Sequence, residues 1–279
     1  MDPSLPSVLL VHGSMDRSSS FTRVANCLKD LHVVSYDRRG YGHSLNLDQE
    51  PEGLEGHVED MFSVMRTFGS TANQPVTDKP KSWVVVGHSY GGLIALTASV
   101  HDLDKLIKGI VAYEPPLPWI TQRLDERLHD PNMPSAGDKA VQTDDPSEAA
   151  EVFLRHMLSD AVWGRLPERT KAARRLEGKT LLKELSDIHN IRITKPPFVL
   201  EQIKVPITLV RGTTSIKRLQ AAAGYLAESA KSPGAVKLVE IRGAGHGAHI
   251  THPKQFAVII KAAVDEAADK LVNEDDMTG

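Results

Sequence analysis

Hydrophobic positions along this chain follow two rhythms. Short apolar runs rich in β-branched residues occur at 7–12, 32–35, 82–87, 107–113, 207–211 and 236–241, and each is expected to be a strand buried on both faces. Between them, Val58, Met61, Phe62, Met65 and Phe68 recur at helical spacing, and Phe256, Ile260, Val264 and Leu271 mark a final amphipathic helix. Strands alternating with helices predict an α/β fold: a mainly parallel sheet with helices on both faces, the carboxyl ends of the strands gathered along one edge. Chemistry is expected at that edge.

The strand rhythm stops between Pro115 and Pro206. Two proline-rich seams, PPLP and KPPF, bracket a charged, helical stretch in which Val152, Phe153, His156 and Met157 share a helical face beside Trp163. This predicts a packed helical cap over 117–204, inserted in a core formed by 1–116 and 205–272. The tail, 273–279, is acidic, lacks apolar anchors and is expected to fray.

Charge and cysteine content narrow the partners. The 33 basic and 36 acidic residues are interspersed and leave a net charge of -3, so no one-sign face points to nucleic acid or to an anionic membrane. Cys27 is the only cysteine; no intramolecular disulfide can form, and the residue is expected to pack against a helix. The first residues lack a basic segment, and the apolar run before Gly13 is too short for a signal peptide or a membrane span. The expectation is a soluble, cytoplasmic protein acting on a small molecule. Nothing in the sequence speaks to oligomeric state.

The sharpest chemical signal is GHSYG at 87–91, which follows the apolar strand and opens the helical run Leu93-Ile94-Ala95-Leu96. Glycines two residues before and after a serine permit a cramped strand-to-helix turn that lifts the Ser89 hydroxyl over the sheet edge. The alternative is a small-residue turn that serves packing alone. A serine at its ordinary pKa needs a base. Of twelve histidines, His246 stands in the flexible GAGHG loop after the last strand, where small neighbours leave its ring room to reach over the edge. His252 precedes Pro253 at a helix start and suits a capping role. His249 either lines the pocket or is exposed.

With these residues in place, the order His12-Gly13, YDRRGYGHS at 36–44, GHSYGG, and GAGH followed by Pro253 resembles the α/β-hydrolase superfamily over nearly the whole chain outside the cap. The resemblance implies an oxyanion hole built from the backbone N–H groups of Ser14 and Tyr90, with Met15 as the less favoured donor. It implies that His12, Asp37, Arg38 and Gly40 stabilise turns. It also exposes a departure: where many relatives place an aspartate after the family's seventh strand, this chain reads Gly212-Thr213-Thr214-Ser215. Serine cannot hold the charge that stabilises an imidazolium. Glu114, after the family's sixth strand, occupies the place where haloalkane dehalogenases and certain mycotoxin lactone hydrolases carry their acid; the alternative for it is a cap or a hinge salt bridge.

The expected function is hydrolysis of a carboxylic ester by a Ser89–His246–Glu114 acyl-enzyme mechanism, with a lactone, a C–C bond or perhydrolysis as alternatives on the same site. A non-catalytic ligand binder is a further alternative, for which the missing aspartate is the one hint. No cofactor and no metal are expected, because histidines and carboxylates do not gather at metal-ligand spacing and no phosphate-binding glycine loop follows the first strand. Met15, Trp119, Phe153, Met157 and Trp163 are candidates for lining the substrate pocket or, equally, for the cap's own core.

Overall fold

The computed structural model describes residues 5–46, 48–50, 52–69, 82–121, 124, 135–230 and 236–278, with side chains through 271. Six strands form one parallel sheet in the order β2-β1-β3-β4-β5-β6: β1 Ser7–Val11, β2 Val33–Ser35, β3 Trp83–His88, β4 Ile107–Tyr113, β5 Ile207–Gly212 and β6 Val236–Ile241. All six predicted strands are present, with ends within one residue of those read from the pattern.

Side chains alternate across the pleat, and the two faces carry separate cores. Leu9, Val11, Trp83, Val85, Ile110 and Ala112 point to one cluster. It is covered by α2 (Leu54–Gly69), α3 (Tyr90–Ala98) and the helix Lys217–Glu228, here α9. Val8, Leu10, Val84, Val86, Val111 and Tyr113 point the other way. There they meet α1 (Thr22–Ala25) and the C-terminal helix α11 (Pro253–Thr278). Helices on both faces explain why the strands read as continuous apolar runs. Every residue of α3 is buried, as befits a helix apolar all round.

The sheet order reverses direction at β1, which connects outward to β2 and sits beside β3 on its other side. Loops at such a switch point diverge and open a crevice at the carboxyl ends of the strands. The segments after β1, β3, β4, β5 and β6 all lie along that edge.

The segment between β4 and β5 includes the helices α4 Ala136–Ala140, α5 Pro146–Leu158, α6 Asp160–Arg165, α7 Glu168–Arg175 and α8 Gly178–Ile193. Its interior is small: Ala140, Ala149, Ala150, Leu154, Trp163 and Leu181, closed from the core side by Met15 and Tyr41. Three expectations change here. The buried face of α5 is Ala149, Ala150 and Leu154, because alanines let α5 approach α8 closely; His156 is exposed and Met157 only half-buried. Phe68, at the end of α2, is 50% exposed, since its helix has run past the sheet. Residues 273–278 continue α11 as helix instead of fraying.

Acidic groups of α8 and the residue before it tie this helical segment to the loops after β1 and β2 and to the start of α2. Glu177 takes Arg17 at 2.6 Å and the Gly42 amide at 3.0 Å. Glu184 pairs with Arg38 at 2.7 Å, both fully buried, and accepts Tyr41 Oη at 2.9 Å. Asp187 accepts the Leu54 amide at 3.0 Å. Removing one partner of a buried pair leaves the other uncompensated, at a cost of about 3–5 kcal/mol. Glu184→Gln is therefore expected to lower unfolding free energy by about 3 kcal/mol in urea titrations; a loss below about 1 kcal/mol would mean that the pair is solvated.

Candidate active site

The elbow is built as its sequence requires. Ser89 sits between β3 and α3 at φ 52°, ψ -122°, a conformation that costs a non-glycine residue of order 1–3 kcal/mol. The flanking glycines are sterically obligatory: a Cβ on Gly87 would lie 2.2 Å from the Gly91 carbonyl oxygen, and one on Gly91 would lie 2.2 Å from that of Val11. The strain is held by backbone bonds from Ser89 N–H to Tyr113 O (2.9 Å) and from Gly92 N–H to Ser89 O (2.8 Å).

Glu114 follows β4 directly, also at positive φ (45°), and is fully buried. Its Oε2 accepts His246 Nδ1–H at 2.6 Å and the Ser215 hydroxyl at 2.5 Å, while Oε1 accepts the Gly212 amide at 2.8 Å. Three donors thus converge on one buried carboxylate and fix its orientation. Ser215, which stands where many relatives place an aspartate, thus supports the displaced carboxylate. The His246 ring is 13% exposed, open toward the edge. Its loop hangs on two bonds, from Tyr113 Oη to Gly245 O and from His88 Nε2–H to His246 O (2.9 Å). Among the described residues no hydrogen bond joins Ser89 Oγ to His246; such bonds commonly tighten only around substrate.

The loop after β1 lies against the nucleophile, for a Cβ on Gly13 would meet Ser89 Cβ at 2.9 Å. Ser14 follows at once, and Met15 turns at φ 52°. Tyr90 is the first residue of α3, where helix amides have no intrahelical partner. The segments that carry Ser14 and Tyr90 therefore both adjoin Ser89. His12 supports the loop: its Nδ1–H donates to Gly13 O at 2.8 Å and its Nε2 accepts the Arg38 amide at 2.9 Å. Arg38 donates onward to His12 O and Gly13 O, and Asp37 accepts from Ser18 and His43.

Burial, then the charge of Arg38, lowers His12 to about 3 and His57 to about 2. Both folded values lie below the ordinary 6.5, so unfolding takes up protons in acid. The stability contributed by these neutral imidazoles is complete above pH 6.5 and is lost as pH falls toward 3. Each group is expected to remove about 1.4 kcal/mol per pH unit below that point. Urea midpoints measured at pH 7, 6 and 5 should fall in step; a flat profile would place these histidines in water.

The candidate pocket residues divide. Trp163 is 4% exposed inside the cap cluster, its indole N–H on Glu151 at 3.1 Å, with Phe153 packed against the same cluster. Both belong to this helical cluster, while Met157 is half-buried. Trp119 stands edge-on to Phe198 with ring centroids 5.3 Å apart. Met15 joins the cap cluster immediately beside the oxyanion loop. A surface cleft of about 290 Å³ between Tyr36, Arg39, Asp60 and Val64 shares no residue with Ser89, Glu114 or His246.

Several relations escaped the sequence reading: the roles of Tyr113 and His88 in holding the histidine loop, the bond from Ser215 to Glu114, and the convergence of half-buried Asp16 with buried His88 and His249. His249 is buried, not exposed, and lies with its Nε2 3.3 Å from Asp16 Oδ2. Topology alone brings these residues together, so no spacing along the chain could announce them. His252 accepts the Phe256 amide on its carbonyl at 3.0 Å, at the start of α11, as expected of a cap.

A six-stranded parallel sheet with a serine elbow, a loop-borne histidine and a buried carboxylate at one edge defines an α/β-hydrolase architecture. The family model described as the alpha/beta hydrolase family matches residues 8–259, and the chain belongs to that family. It is 33% identical over 113 residues to the uncharacterized hydrolase YraK of Bacillus subtilis (strain 168), a match that covers 39% of this chain and only 37% of that protein. Similar solved structures include a thermophilic esterase from Thermogutta terrifontis (TM-score 0.66, 15% identity, 94% of this chain and 90% of that one). The bromoperoxidase from Bacillus anthracis is similar too (0.65, 19%, 93% and 92%), as is Est816, described as an N-acyl homoserine lactone degrading enzyme (0.59, 19%, 92% of each). At these identities the likeness is one of fold. No described helix is long and apolar enough to cross a membrane.

Proposed function

We propose that this protein is a serine hydrolase that cleaves a carboxylic ester through a Ser89–His246–Glu114 triad. The observation that carries the reading is the 2.6 Å bond from His246 Nδ1–H to the fully buried Glu114, on the same sheet edge as the strained Ser89. That bond fixes the tautomer that leaves Nε2 free to accept a proton.

In the first step His246 Nε2 takes the Ser89 Oγ proton as the oxygen attacks the ester carbonyl, and Glu114 stabilises the imidazolium without taking its proton. The tetrahedral oxyanion rests on the Ser14 and Tyr90 amides. One such donor contributes about 3–4 kcal/mol to the transition state. The imidazolium then returns the proton to the departing alkoxide, leaving an acyl-Ser89 ester. Water, deprotonated by the same nitrogen, attacks that ester and releases the acid.

A lactone is the same bond with its alcohol tethered, and the described activity of Est816 keeps it as the second reading. Hydrolysis of p-nitrophenyl esters across acyl chain lengths tests the proposal. Measurable turnover with a chain-length optimum supports an esterase. Failure on every ester alongside turnover of lactones would move the assignment to the second reading, and inactivity on both would move it to C–C bond hydrolysis or to a binder.

A further inference from the structure

Behind the site, three side chains from three separate segments converge: Asp16 from the loop after β1, His88 from the end of β3 and His249 from α10 (Ala248–Thr251). One ligand atom from each lies within 4.8 Å of the other two. His249 is 1% exposed and His88 7%. His88 Nε2–H is committed to His246 O, so Nδ1 carries a bare lone pair, 3.8 Å from Asp16 Oδ2. Neither His88 Nδ1 nor either ring nitrogen of His249 makes a hydrogen bond among the described residues; the 3.3 Å approach of His249 Nε2 to Asp16 is off-line for one.

The His88 Nδ1 lone pair and His249 Nε2 both face the Asp16 carboxylate without a hydrogen bond, an arrangement that a cation between the three groups would satisfy. An imidazole whose second nitrogen donates to a backbone carbonyl is the habitual posture of a metal ligand. Ligands at about 2.0–2.2 Å from a tetrahedral ion stand about 3.3–3.6 Å apart. The Asp16–His249 separation already meets that spacing, and the Asp16–His88 one needs a small rotation.

We infer that Asp16, His88 and His249 form a binding site for a divalent ion of the zinc type, with three protein ligands and a fourth position for water. Two nitrogens and one oxygen suit zinc and its first-row neighbours over calcium or magnesium, which take oxygen ligands. Ser20 Oγ, donating to Asp16 Oδ2 at 2.9 Å, orients the carboxylate from outside. Asp16 keeps 18% of its side chain exposed, which provides a way in. The ion would join the oxyanion loop, the elbow and the histidine loop. It takes no part in the ester chemistry proposed above, and neither proposal rests on the other.

The test uses the full-length protein, stripped of metal and titrated with Zn²⁺ and Co²⁺. The wild type is expected to take up one Zn²⁺ per chain, to melt at higher temperature with it, and to give a visible Co²⁺ spectrum of four-coordinate character. Asp16→Asn and His249→Gln should each weaken Zn²⁺ binding at least tenfold, while His43→Gln, at a surface histidine, should leave it unchanged. Equal affinity in wild type and both site variants, or no stoichiometric uptake by wild type, overturns the site. Should the variants fail to fold, anomalous scattering at the zinc edge from wild-type crystals grown with Zn²⁺ decides: a peak between the three side chains supports the site, and its absence there overturns it.

Discussion

Ser89→Ala is expected to lower ester turnover by about five to six orders of magnitude, the loss seen when the nucleophile of a triad is removed. The physical reason is the absence of any replacement: without the hydroxyl, no acyl-enzyme forms, and the Ser14 and Tyr90 amides alone stabilise attack by water. The substitution keeps Cβ, so the elbow and its packing should persist. Circular dichroism and urea unfolding should be near wild type while kcat collapses. Activity retained at the wild-type level would move the nucleophile elsewhere.

Glu114→Gln is the second large effect. The amide preserves shape, but it replaces a charged acceptor with a neutral group whose NH₂ can present a donor to His246 Nδ1, selecting the wrong tautomer. A comparable change in serine proteases costs about 10⁴ in kcat, and the same order is expected here, with KM much less affected because the carboxylate acts chiefly on the imidazolium of the transition state. The three donors on this carboxylate, from Gly212, Ser215 and His246, also make Glu114 structural. Stability therefore has to be measured beside kcat. A loss confined to stability, with kcat intact in the folded fraction, would reduce Glu114 to a hinge residue.

The contrast between what the chain announces and what it conceals has a physical basis. Strands buried on both faces announce themselves as apolar runs, and the elbow announces itself because Gly87 and Gly91 have no room for a side chain. His246 and Glu114 were legible as loop residues at strand ends, where functional groups collect in parallel sheets. The cap was legible as a break in rhythm but not in its packing: α5 buries its alanines, so its large apolar residues marked the wrong face. Phe68 misled for a related reason, as helical periodicity carries no information about where the covered surface ends. The helix through Thr278 continued past the last apolar anchor.

Ser215, Tyr113 and the Asp16–His88–His249 cluster were hidden for a different reason. Each acts through a contact made across strands or loops far apart in the chain. Ser215 reads as a loss, because an aspartate is absent; in three dimensions its hydroxyl donates to Glu114.

The central claim is that Ser89 is an activated nucleophile, and covalent labelling tests it most directly. Wild-type protein treated with a fluorophosphonate and mapped by peptide mass spectrometry is predicted to carry one adduct, on Ser89, formed much more slowly in Glu114→Gln and absent in Ser89→Ala. A folded wild-type protein that resists the probe, or that carries it on another residue, would contradict the account.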